Sequence, residues 1–128
     1  MTGLDHALLG LRHAVEAPRR NQMWRWLVRH RIAGVKDALS SQRPSGSGGR
    51  DSREIAVMGL TAREGTLFRE RDALMARLGE VGPQVLDAPD LEQVHHDMQR
   101  LMVDLEHYRQ RTNDLLYDAV SWELGGSE

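Results

Sequence analysis

Cysteine is absent from this 128-residue chain. Disulfides, thiolate nucleophiles and zinc–sulfur sites are therefore excluded. Lysine is nearly absent too: Lys36 stands alone among 17 basic residues, the rest being arginine. That skew matches the coding bias of a GC-rich bacterium. It also weakens any argument that one arginine was selected for its bidentate fork. There is a single phenylalanine, few β-branched runs and no period-two alternation, so strand signals are missing. No apolar run approaches the roughly 18 residues of a membrane span. The opening Met1-Thr-Gly-Leu-Asp-His6 has neither the basic nor the apolar region of a secretory signal. The expectation is a soluble, cytoplasmic, single-domain protein over residues 1–128, long enough to bury a core of its own.

What is present begins with charge. The formal charge of −2 conceals an uneven distribution. Residues 1–50 hold nine basic and three acidic residues, a net of +6; residues 51–128 hold eight and sixteen, a net of −8. A basic first segment can pack on an acidic remainder within the molecule. It can also leave a basic face for an acidic partner.

Helical periodicity dominates the chain. Leu4, Leu8, Leu11 and Val15 recur at 4-3-4 spacing, and Trp24, Val28, Ile32, Val35 and Leu39 repeat the rhythm in a shifted phase. Pro18 lies between the two stretches, so the first helical region, about residues 4–39, is expected to kink or split there. Residues 40–51 are rich in serine and glycine and read as a flexible connector. No phosphate loop is present, because no Lys-Ser/Thr follows the glycines.

A second helix is expected over about Ser52–Gly79, with Gly82-Pro83 ending it. Thr61 and Glu64 also form a capping-box pattern, which offers Thr61 as an alternative start. Its seam includes Val57, Leu60, Leu67, Leu74, Leu78 and Val81, with Glu64 and Arg71 as polar members suited to fixing register.

The third helix has the strongest pattern. Asp90 is a good N-cap, and Leu91, Val94, Met98, Leu101, Leu105, Tyr108, Thr112, Leu115, Ala119 and Trp122 follow at alternating 3-4 spacing. The architecture that follows is all-α: an elongated antiparallel bundle of three long helices, the first kinked or split, with coiled-coil-like packing.

Six histidines invite a metal reading. Carboxylate-bridged sites in helical bundles draw Glu-x-x-His pairs from different helices. Glu92-Gln-Val-His95 matches once, and the degenerate Asp104-Leu-Glu-His107 lies on the same helix, about 18 Å and 120° away. His13-Ala-Val-Glu16 is weaker still. No metal ligands or cofactor are assigned. Serines cluster in the connector and near residue 128, away from rigid support for a nucleophile. No carboxylate pair stands out, so no catalytic residue is assigned either.

Two segments favour binding. Residues 19–31, Arg-Arg-Asn-Gln-Met-Trp-Arg-Trp-Leu-Val-Arg-His-Arg, place Trp24 on the buried row and leave Trp26 on the flank near Arg25 and Arg29. At the end of the third helix Leu116, Tyr117, Val120 and Leu124 lie off the seam, making that end apolar nearly all round. It either fills a thick core, beside Ile55, Val57, Met58 and Leu60, or meets another molecule. The leading expectation is a non-enzymatic protein that binds another protein, itself included as a homo-oligomer. The alternative is an Arg/Trp-mediated binder of nucleic acid or an anionic membrane; against nucleic acid stand the acidic net charge and the lack of a recognition motif. A helical-bundle metalloprotein is third.

Overall fold

The computed structural model describes residues 3–18, 21–41 and 58–126, and of 58–61 and 118–126 it describes the helical backbone alone. Every regular element in it is an α-helix: α1 is Gly3–Glu16, α2 Gln22–Ser40, α3 Met58–Asp87 and α4 Leu91–Gly126. No described residue lies in a strand.

Among the described residues the helices number four, not the expected three, because the segment interrupted by Pro18 is two helices folded back on each other. Proline lacks the donor a continuing helix needs and disfavours helical backbone at Ala17. The Ala17 amide accordingly reaches only to the Ala14 carbonyl, at 3.3 Å. The chain restarts at Asn21, whose extended backbone and side-chain oxygen, accepting from the Trp24 amide at 3.0 Å, cap α2. Trp24 then turns back onto α1. Its indole donates to the Val15 carbonyl at 3.3 Å, satisfying one acceptor in the last turn of α1.

α3 is already helical at Met58, ahead of the alternative start at Thr61, and departs from expectation at its other end, running through Pro83 to Asp87. The helix is maintained past the proline by tertiary contacts. Val85 is fully buried, and the Arg25 guanidinium donates to the carbonyls of Val85 and Leu86 at 3.0 and 3.1 Å. A cation on the last turn of a helix meets both its unsatisfied acceptors and its dipole. The start proposed at Ser52 lies outside the described residues, as does the connector beyond Ser41. Ser40 and Ser41 themselves close α2, with the Ser41 hydroxyl donating to the Asp37 and Ala38 carbonyls. α4 begins where its cap predicts: the Asp90 side chain accepts from the Gln93 amide at 3.1 Å.

Each helix packs on the next, and α4 returns to α1. Pairings fix the directions. Arg31 lies against Gly10, and Arg29 against Gly82. Arg77 meets Asp104 at 2.6 Å, and Arg109 meets Asp5 at 3.2 Å. With the second pairings Trp24 to Val15, Arg25 to Val85, Arg111 to Glu70 and Arg12 to Glu106, each neighbouring pair is antiparallel. The rows read from the sequence supply the core. Leu4, Leu8, Leu11, Val15, Trp24, Val28, Ile32, Val35 and Leu39 are buried, as are Leu74, Leu78, Val94, Met98, Leu101, Leu105 and Tyr108.

The helices differ in length, and this positions the surfaces considered below. Asp5 pairs with Arg109, and α1 starts two residues before Asp5. α4 therefore continues past α1 by about 22 Å, at ~1.5 Å per residue. Lys36 lies against Gly79 and α2 ends at Ser40, so the first half of α3 likewise passes α2. Among the described residues this end consists of α3 and α4 only.

Candidate functional site

The sequence singled out two groups of residues, and the structure separates them by about 30 Å along the molecule, the rise from His95 to Leu116. The first group belongs to the start of α2, whose level is set by the Trp24 ring against His95, centroids 6.0 Å apart. Trp26 points away from the core and is 66% exposed. It is accompanied by two residues not assigned from the sequence, Met23 at 74% exposed and Leu27. Positions 23, 26, 27 and 30 share one helix face by the i, i+3, i+4, i+7 rule. The same spacing is visible in the sequence as a second apolar row beside the core row.

The arginines of this segment divide. Arg25, assigned to a binding face, is occupied in capping α3. Arg29 and Arg31 are exposed, and no carboxylate among the described residues pairs with them or with Lys36. The ion pairs run mostly between other helices: Arg12 with Glu106, Arg77 with Asp104, Arg111 with Glu70, and Arg109 with both Asp5 and Glu106. Ion pairing among the described residues thus involves α1, α3 and α4, and leaves Arg29 and Arg31 of α2 exposed.

The second group lies on the end of α4 beyond α1. Leu116 and Tyr117 are 62% and 72% exposed. The side chains of Val120 and Leu124 lie outside the described residues, as do those of Val57 and Leu60 and the whole of Ile55. The physical reason for the exposure is register. Met102, Glu106 and Arg109 form the row of α4 that faces α1, through the Arg12 and Asp5 pairs and the groove that Arg12 and Met102 line together. Helical periodicity continues that row through Asn113 to Leu116. Leu116 therefore occupies a helix-facing position where α1 has already ended. Tyr117 sits beside it, and the nearby Asp114 is exposed. Leu67 and Leu115, the seam residues at this level, are buried only to 9% exposure, more open than the seam further down. Phe68 carries the Arg71 guanidinium over its ring at 4.2 Å.

The histidines are dispersed. His6, His13, His30, His96 and His107 are exposed, and His95 is the half-buried partner of Trp24. Among the described residues no group of three or more histidine and carboxylate side chains is arranged to hold a metal. A groove of about 470 Å³ between α3 and α4 is lined by charged, polar and apolar groups, including the paired Arg77 and Asp104. One buried titratable group stands out. Burial raises the pKa of Tyr108, opposed by its side-chain hydrogen bond with Thr112.

No helix among the described residues is long and apolar enough to cross a membrane. No family model, curated protein or solved structure matches this chain.

Proposed function

We propose that this chain is a non-enzymatic protein-interaction module, built as an antiparallel helical bundle with coiled-coil-like seams, whose exposed apolar helix faces bind another protein. The observation that carries this reading is the uncovered helix-facing row at Leu116 and Tyr117. It is reinforced by the second apolar face at Met23, Trp26 and Leu27. Exposed apolar groups clustered at helical spacing favour helix-in-groove recognition. Arg/Trp-mediated binding of nucleic acid or an anionic membrane is the second reading, supported by the solvent-facing Arg29 and Arg31; the commitment of Arg25 to α3 counts against it.

The test uses protein released gently from the cells that make it. Native protein is expected to elute in an assembly well above the 14.5 kDa of one chain. A double variant, Trp26→Glu with Tyr117→Arg, is expected to elute at the single-chain mass. Native protein eluting at the single-chain mass contradicts the reading. An assembly that dissolves on nuclease treatment supports the nucleic-acid alternative instead.

A further inference from the structure

Resting on that interaction reading, we infer that the partner is a second copy of this chain, docked head to tail: the outer face of α2 of one copy covers the α4 end of the next. Three observations converge on this occupant. The first is shape. The α4 row that seats α1 continues past the start of α1 and presents Leu116 at a helix-facing position. What such a seat accepts is a helix carrying apolar anchors at i, i+3 and i+4. α2 offers Met23, Trp26 and Leu27 in that spacing on its solvent side.

The second is charge. Residues 17–36 contain six basic residues and no acidic one, whereas residues 113–128 contain four acidic residues and no basic one. The exposed Arg29 and Arg31 flank the α2 face, and no described carboxylate neutralises them. Asp114 is exposed one turn before Tyr117, on the same side of α4. Two α4 ends brought face to face would oppose like charges, and so would two α2 faces. The α2 face against the α4 end brings opposite charges together.

The third is placement. The two surfaces lie about 30 Å apart along the molecule, on helices that are not neighbours in the packing order. They cannot satisfy each other within one chain. A contact between different patches of identical molecules is heterologous, and it leaves one free patch at each end of every assembly. Association therefore proceeds past two copies unless a ring closes.

Two variants test this, each altering one exposed residue, with circular dichroism confirming retained helix. Trp26→Glu removes the α2 face and Tyr117→Arg the α4 end. Each variant alone is expected at the single-chain mass by sedimentation equilibrium. Mixed one to one, they retain one intact face of each kind and are expected to form a pair of twice that mass, which high salt dissociates. A mixture that stays at the single-chain mass overturns the inference. So does either variant associating with itself as strongly as the unaltered protein, the mark of a two-fold contact. If native assemblies exist in cells while the mixture stays monomeric, the interaction reading stands and the partner is a different protein.

Discussion

Single side chains divide sharply between those that hold the fold and those left over from it. Arg25 belongs to the first kind although its neighbours Arg29 and Arg31 do not. It donates to two carbonyls at the end of α3, where acceptors have no partner of their own. Replacing Arg25 by methionine keeps the aliphatic stem and removes the donors. The expected loss is about 1–2 kcal/mol in urea unfolding. The same change at Arg29 is expected to stay within about 0.5 kcal/mol. Equal losses at both positions would mean that the Arg25 bonds contribute nothing specific.

Tyr108 adds a pH dependence. Burial disfavours its phenolate, so its folded pKa lies above the unfolded value. A group shifted upward contributes its stability below the unfolded pKa, about 10 for tyrosine. The contribution is lost as pH rises through the folded pKa. Tyr117→Phe leaves Tyr108 as the only tyrosine of the two in the sequence. Its absorbance titration is expected to have a midpoint above 10, accompanied by declining stability. A midpoint at or below 10 would contradict the burial of this side chain.

At the scale of helices, the core rows were legible because burial imposes a 3-4 spacing on apolar residues, and little else does. Leu4 to Val15, Trp24 to Leu39 and Val94 to Tyr108 are buried as their spacing indicates. Capping was legible where a side chain next to the helix suffices, as at Asp90. The helix count was less so. Pro18 marks an interruption, but whether the two pieces continue or fold back is decided by contacts such as Trp24 with Val15, nine residues apart in the chain and about 30 Å apart if the segment were extended. Pro83 misled for the same reason. Its local cost is real, and it is outweighed by burial of Val85 and by Arg25 from another helix. Pro83→Ala restores the amide that could bond to the Gly79 carbonyl. It is expected to raise stability by about 1–2 kcal/mol, the helix-propensity gain less the added freedom of the unfolded chain. A loss of stability would show that α3 depends on the proline.

For the whole molecule, the decisive property is unequal helix length. The sequence marked Leu116, Tyr117, Val120 and Leu124 as too apolar for one seam, and composition alone carries that. Their relation to α1 depends on where α1 starts along α4, which only the Asp5–Arg109 and Arg12–Glu106 pairings reveal. The α2 face had a readable signal, the 23-26-27 spacing, hidden by the attention that a tryptophan attracts. Together the two surfaces make a molecule with complementary ends and no shared symmetry between them. Under the head-to-tail proposal, association is expected to respond to both concentration and salt, apolar burial driving the contact and opposite charges aligning it.

The most direct test is the weight-average mass of the purified, unaltered protein by light scattering, from low to high micromolar concentration at low and high salt. The mass is expected to rise beyond two copies as concentration increases and to fall back as salt is added. A constant mass of 14.5 kDa across the series would contradict it.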